Sequence, residues 1–505
     1  MFGSIRWRNQ FSSLLLTLIP MRFPNSLRPS EAFLLSARRS HKYLASSETI
    51  LPIQCNDSKD LSTRCRFTSL AVSDAELCSD LARNIRESYI EKETDGILEL
   101  AASSSMMVDE ELDIEGALIP AILDASRGNK GVAASIMNAL IGSSCNSTNS
   151  ADWAQNGKPN LLSSRILLLI EGLQKTGDIV PDIVTYSLAH QALSINPNCH
   201  NLAAEVLEEA EKLSKRIAGG KRRKLLASAR RRKISTFVDA EASLKDILGD
   251  DFKLLLETDR FAVVNKPSGV SCFHKKKTTA GKIKKGKGKN KREKSNKSLE
   301  LSDFSLEDAL ISCNVELSTL NPDALGLVHR LDRGSSGCIV LAKSNEIHAK
   351  LISEFFLRRT TKQYTALVRE SPTSTIPEEG CGLIDNPVNG RPARSQYSIL
   401  ERYQSSSEDE SEDDASIVEF EIFTGRKHQI RVHAAEVLGS PVWGDPLYGA
   451  DNGRVSRSEI GSDTSKRIFL HASRLKIPGL GIDVESPHPV WWQSTLSNFK
   501  SKQID

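Results

Sequence analysis

The sequence predicts an α+β domain over residues 246–500, preceded by an all-α region over residues 70–215. Two observations carry that expectation. Between residues 70 and 215, apolar residues recur at helical spacing in six segments. Beyond residue 246 the pattern changes to short runs of branched and aromatic residues with strand-like alternation, broken by few helical stretches. A chain of 505 residues is long enough for two or three domains.

Residues 1–47 differ from everything that follows. They contain Arg6, Arg8, Arg22, Arg28, Arg38 and Arg39, many Ser and Leu, and one acid, Glu31. This Arg- and Ser-rich, acid-poor composition predicts an organelle transit peptide, with a disordered arm as the alternative. The Ser content favours the chloroplast, and the mitochondrion is the other destination.

In the all-α region, helices are expected over 71–89, 115–125, 132–141, 161–174, 185–193 and 202–213. Turns such as Arg127-Gly128-Asn129 separate them, which favours antiparallel hairpins. The stretch from Pro181 through Thr185, Tyr186 and Ser187, followed by a second helix at 203–213, weakly resembles one pentatricopeptide unit. A helical hairpin with no RNA-reading role explains it equally well, since solenoids need about three repeats.

Residues 216–245 read as a basic linker. Eight Lys or Arg residues lie between Lys221 and Lys233, fit either for phosphate contact or for solvation. Two further stretches have no apolar periodicity. The Lys/Gly/Asn/Ser run at 275–297 and the acidic run at 404–415 are expected to be disordered inserts in the second domain.

Within that domain, strands are expected over 251–258 and 261–265, the latter ending in the turn Lys266-Pro267-Ser268-Gly269. A short helix covers 306–312 and an amphipathic one 345–357, with Ile347, Leu351, Ile352, Phe355 and Phe356 on its apolar face. Strands follow at 362–368, 396–401, 416–423 and 470–475, and Trp491 and Trp492 are expected to pack on the domain or sit at its surface.

The chain is organised around residues 325–343. They read as a short apolar strand, a polar turn, and a second strand over 338–342. Asp332 sits in the turn, between Arg330 and Arg333 and just before Gly334, Ser335, Ser336 and Gly337. Small residues let the backbone bend tightly there. An anionic oxygen on a rigid turn in a positive field suits a nucleophile or base acting on a polyanion. An isolated Asp among arginines is more often a charged turn cap; the surrounding pattern decides otherwise.

His329-Arg330-Leu331-Asp332, two residues, Ser335-Ser336-Gly337 and then an apolar strand resembles the catalytic motif of the RluA family of RNA pseudouridine synthases, as in its plant organellar members. Ser335 stands where the family usually has Thr, and Cys338 where it usually has an aliphatic residue. Asn265-Lys266-Pro267 and Gly269 resemble the family's first motif, whose implied role is structural. Lys362-Gln363-Tyr364 resembles its K-x-Y strand. Gly425-Arg426-Lys427-His428-Gln429-Ile430-Arg431-Val432-His433, followed by Pro441, Gly444-Asp445 and Tyr448-Gly449, matches a third pattern almost residue for residue. The resemblance covers residues 254–489 and leaves out the helical half.

It implies the pseudouridine synthase fold, a mixed, mostly antiparallel sheet with helices around it. It also implies isomerisation of uridine to pseudouridine in RNA. Asp332 would be nucleophile, or base towards the ribose. Arg431 would pair with it, and Tyr364 would stack on the uracil and handle a proton. Arg330 would enter the space left by a flipped uridine, as base-modifying enzymes require. Arg426 and His428 would hold backbone or phosphate. A catalytically inert RNA-binding protein is the rival class; the joint presence of Asp332, Tyr364 and Arg431 argues against it.

No cofactor is expected, since the sequence holds no Rossmann or P-loop fingerprint. No metal is expected either. Nine scattered Cys show no C-x-x-C pair, and His428 and His433 lack a third ligand. A monomer is expected, with ribosomal or transfer RNA as substrate. No membrane partner is expected, because no apolar run is long enough to span a bilayer.

Overall fold

The computed structural model describes residues 79–84, 113–147, 158–176, 181–195, 197–218, 235–274, 304–370, 380–405, 414–449, 467–496 and 499–502. The segment 1–47, the basic run 221–233, the Lys-rich run 275–297 and residues 406–413 of the acidic run lie outside the described residues.

The all-α region contains α1 (Ile119–Ser126), α2 (Lys130–Ser147), α3 (Lys158–Thr176), α4 (Ile183–Ser194) and α5 (His200–Ile217). The fourth explains the arrangement. Asp182 accepts the Thr185 amide at 2.8 Å while the Thr185 hydroxyl accepts the Asp182 amide at 3.2 Å, a reciprocal cap that starts the helix. Ten of its twelve residues are buried, so no face is left for solvent. It packs against α2, α5 and α8 (Asn345–Phe356) of the α+β domain. One apolar cluster runs from Ile136 and Leu188 to Leu351 and Ile352. Polar ties cross the same seam: the Ser353 hydroxyl donates to the Ser187 carbonyl at 3.0 Å, and Arg359 to the Cys145 carbonyl at 2.8 Å. The hairpin with pentatricopeptide-like spacing therefore serves as a packing core for the second domain.

The α+β domain begins with α6 (Phe237–Leu248), which starts within the stretch read as a linker. Thr236 caps it, and the Glu257 carboxylate accepts the Phe237 and Val238 amides at 3.0 Å each. Phe237 and Leu244 are fully buried and join the core around Val264 and Leu310. The basic surroundings hid this helix in the sequence.

Among the described residues, ten strands form one sheet: β1 (Lys253–Glu257), β2 (Phe261–Lys266), β3 (Ser336–Ala342), β4 (Thr361–Glu370), β5 (Cys381–Ile384), β6 (Ser395–Ser405), β7 (Asp414–Ile422), β8 (Leu470–Ile477), β9 (Ile482–Glu485) and β10 (Phe499–Lys502). Their order is β1-β2-β3-β8-β4-β7-β6-β10, with β5 on β6 and β9 on β8. The β3–β8 pair is parallel and the other described pairs are antiparallel. Further α-helices among the described residues of this domain are α7 (Leu306–Ser312), α9 (Gln429–Val432) and α10 (Val490–Leu496). This is the α+β architecture, a mixed and mostly antiparallel sheet with helices around it, that the sequence predicts. Among the described residues, no helix is long and apolar enough to cross a membrane.

Two local expectations are corrected. The apolar segment before Asp332 forms no strand; Leu327 makes a single bridge to Leu341 and the chain continues as turns. Gly326, with φ of 67°, turns the backbone there. Strands β5, β9 and β10, four residues each, carry too little alternation to be read from sequence. Trp492 is fully buried against Phe469 and His488, and Trp491 donates to Asp251 at 3.1 Å.

Candidate active site

Asp332 lies on the turn that feeds β3, and neighbouring backbone holds that turn from below. The Arg333 carbonyl accepts the Gly269 amide at 2.8 Å, and the Gly334 carbonyl accepts the Ile468 amide at 3.0 Å. Lys266, fully buried, donates to the carbonyls of Pro267 and Val270 at 2.7 and 2.8 Å. Burial pulls its ammonium down to about 8, and those carbonyls compensate in part for lost water. Cys272 Sγ accepts the Leu331 amide at 3.3 Å. Gly337 (φ 117°) lets β3 approach β8, where a Cβ would meet the Ala472 backbone at 2.4 Å. His329 accepts the Val340 amide at 3.0 Å and stacks on Phe355; burial first, and then the Lys362 charge, lower it to about 3.

The opposite wall comes from the segment after β7. Arg431, on α9, grips the buried Asp445 with two parallel bonds, Nε to Oδ2 at 2.6 Å and a terminal nitrogen to Oδ1 at 2.7 Å. Its remaining nitrogen reaches Asp332 Oδ2 at 3.2 Å, across 99 residues of sequence. Burial raises the Asp445 carboxyl, but Arg431 and the amides of Leu447 and Tyr448 outweigh it and leave it below its ordinary value. Gly444 (φ 75°) makes the turn that presents Asp445; a Cβ there would meet the Arg467 carbonyl oxygen at 2.6 Å. The Tyr448 ring lies 5.2 Å from the Arg431 guanidinium.

Tyr364 comes from the middle of the sheet. On β4 it falls where the pairing with β8 shifts between Gln363 and Thr365. The extra residue lies in β8, while β4 pairs with β7 without a shift, so Tyr364 keeps the regular alternation of its strand. Its ring is 9% exposed; burial first, and then the Asp332 charge, push the phenol above its ordinary range, so it is protonated at neutral pH.

Asp332 and Arg431 thus meet from distant segments, the Asp332 charge also acts on Tyr364, and His428 joins them. His428 Nε2 lies 3.7 Å from Asp332 Oδ1, and Nδ1 is 3.1 Å from the Tyr448 hydroxyl. Burial lowers its pKa, the Asp332 charge opposes this, and Arg431 and Lys427 reinforce it. A neutral imidazole leaves Asp332 Oδ1 available to a ligand. Arg330 stands apart, 5.8 Å above the Phe273 ring. Arg426 donates to the Pro392 carbonyl at 2.8 Å and so holds protein backbone. Arg333, beside Asp332 in sequence, turns to the Gly269 carbonyl at 2.8 Å. His433 spans Ser395 Oγ (3.1 Å) and the Asn386 carbonyl (3.0 Å), away from His428's partners.

Sequence reasoning passed over Asp445, Tyr448 and Cys272 as site residues. The signal for the first two lay in Gly444-Asp445 followed three residues later by Tyr448. A short Asp–Tyr spacing after a glycine gives no clue to its partner until the fold brings Arg431 alongside.

A partly exposed carboxylate, fixed by a guanidinium beside a buried phenol, can act as a nucleophile or base. The comparisons with known proteins narrow that class. The family model described as RNA pseudouridylate synthase matches residues 260–436. An uncharacterized RNA pseudouridine synthase of Zymomonas mobilis is 32% identical over 182 residues, spanning 32% of this chain and 73% of that protein. The chain belongs to the RNA pseudouridylate synthase family. It is also similar to an uncharacterized RNA pseudouridine synthase of Chloroflexus aurantiacus, at 34% over 185 residues (34% of this chain, 51% of that protein). Ribosomal large subunit pseudouridine synthase C of Vibrio parahaemolyticus matches at 32% over 170 residues, 32% of this chain and 50% of that protein. The chain spans about half the length of these last two relatives.

Proposed function

We propose that this protein isomerises specific uridines to pseudouridine in organelle RNA, with ribosomal RNA as the substrate. The observation that carries the reading is the pairing of the Asp332 carboxylate with the Arg431 guanidinium at 3.2 Å, with the buried Tyr364 phenol within reach of the Asp332 charge. In the reaction the bond from N1 to C1′ breaks, the uracil turns, and C5 bonds to C1′ while its proton leaves. Asp332 acts on the ribose as nucleophile or base, with Oδ2 held by Arg431 and Oδ1 open to substrate. Tyr364 stacks on the uracil. Arg330, half-buried and two residues before Asp332 in sequence, fills the space the uridine vacates. Arg426 and His428 line the approach. Ribosomal RNA is favoured because a relative carries that function in its name, and the organelle because of the N-terminal composition.

The test is tritium release from C5-labelled uridine in organelle RNA. Asp332→Asn is nearly isosteric, so the fold and RNA affinity should persist while turnover drops below detection. Parent-like release by Asp332→Asn would remove Asp332 from the chemistry. A pseudouridine map of organelle RNA, with and without the protein, identifies the target. A reporter fused to residues 1–47 should enter plastids, and uniform cytosolic fluorescence would sink the transit-peptide reading.

A further inference from the structure

Five basic side chains gather at one end of three adjacent strands. Gln363 of β4 pairs with Glu421 of β7, which sets Lys362 level with Ile422, and Ile422 pairs with Ser395 of β6. Arg358 comes just before β4, Arg391 and Arg394 just before β6, and Arg426 just after β7, so all reach the same edge of the sheet. Hydrogen bonds hold two of these segments together. Arg426 Nε donates to the Pro392 carbonyl at 2.8 Å, Gln429 Nε2 to the Arg394 carbonyl at 2.9 Å, and the Arg394 amide to Thr424 Oγ1 at 3.0 Å.

The charges act on one another. Arg358 feels Arg426 and Arg394, Arg426 feels Arg391, and Lys362 feels Arg358. Burial and this repulsion bring Arg358 down to about 10 and Lys362 to about 8. Asp385 pairs with Arg394 at 2.6 Å, and Glu421 acts on Lys362. Like charges brought together on a rigid frame cost stability in the free protein, and an anion relieves that cost.

The cluster adjoins the candidate active site along two routes. Lys362 and Tyr364 are two residues apart on β4 and so share a face. Arg426 precedes by two residues His428, whose imidazole is 3.7 Å from Asp332. We infer that Arg358, Lys362, Arg391, Arg394 and Arg426 form a preformed site for the RNA phosphodiester backbone, beside the nucleotide whose base enters the Asp332–Tyr364 pocket. The inference rests on reading that pocket as a synthase site and specifies how the strand is held next to it.

The probe is a single-stranded oligouridylate, its binding to the full chain followed by anisotropy across a range of salt. Each phosphate contact contributes about −0.7 to the slope of log affinity against log salt for single strands. Arg394→Gln, at an exposed position, and Lys362→Gln should each flatten the slope by about 0.7, and together by about 1.4. Replacing single phosphates of the probe by neutral methylphosphonates should reproduce the loss at one or two positions, and there the effect should vanish in the double variant. The thermal melt of free Lys362→Gln should match or exceed the parent, because burial and repulsion of its charge are relieved, whereas Arg394→Gln also loses the exposed pair with Asp385. Unchanged slopes in folded Arg394→Gln and Lys362→Gln would overturn the inference, and so would methylphosphonate effects that stay fully additive. No binding of oligouridylate at low salt would overturn it too. The synthase reading fails separately: a protein that binds through this cluster but forms no pseudouridine keeps the anion site and loses the reaction.

Discussion

The two walls of the candidate site are built from different interactions. The Asp332 turn is held by main-chain bonds, a thiol, buried imidazoles and a lysine capped by carbonyls. The facing wall is held by charge, a buried guanidinium forked onto a buried carboxylate, with one nitrogen left for Asp332. The Asp332 carboxylate is thus anchored through its backbone, while its partner is anchored through its side chain. Main-chain anchoring tolerates side-chain change at the turn; ionic anchoring fails when either partner is removed. The walls should therefore break under different perturbations.

The largest expected effect is on the charged wall. Asp445→Ala strands Arg431 without its buried partner and should cost about 3–5 kcal/mol, with turnover lost as Arg431 loses its orientation. Urea unfolding together with tritium release checks both. A variant that unfolds at the parent's urea midpoint would show that the fork does not hold this wall.

Acid should attack the turn wall first. His329 and His471 are held neutral, lowered to about 3 and about 4, chiefly by burial. His348, under the seam with the helical region, is lowered to about 4 for the same reason. As pH falls below about 6.5, the unfolded chain takes up these protons and the folded chain does not, so stability falls with pH. The slope is about 1.4 kcal/mol per pH unit for each imidazole, down to its folded value. Asp445 is lowered, so its contribution persists above the ordinary carboxylate range and is lost only at more acid pH. Unfolding free energies between pH 7 and 4.5 should show the imidazole slope in the parent and a reduced slope in His471→Gln. A flat profile would sink this account.

Cys272→Val removes the acceptor for the Leu331 amide and should cost about 1–2 kcal/mol, with a smaller loss of turnover as the Asp332 turn loosens. Cys272→Ser keeps an acceptor and should recover part of the turnover; equal losses in both would make Cys272 only a packing residue. The smallest effect on binding is expected for Tyr364→Phe. The ring proposed to stack on the base is kept, so RNA affinity should stay within a small factor of the parent even if turnover falls, and a large loss of affinity would assign the hydroxyl to binding.

Local pattern carried far where it was strong. The helix at 306–312 and most strand positions follow from periodicity and capping residues that act within a few residues of themselves. It failed where composition masked periodicity, as in α6 next to the basic run, and where strands were too short to alternate. At the site, the arginines beside Asp332 in sequence suggested its charge partners. The fold sends Arg333 to the Gly269 carbonyl and Arg330 over Phe273, and brings Arg431 from 99 residues away.

By itself, the sequence determined the element types, the small-residue turn that carries Asp332, and the motifs that identify the family. These depend on backbone propensity and residue identity over short spans. Only the tertiary structure decided that α4 is a buried core instead of an RNA-reading surface, that Asp445 holds Arg431, and that five cations meet at one edge of β4, β7 and β6. Burial and long-range charge depend on which distant surfaces the chain brings together, and that is settled by packing across the whole domain.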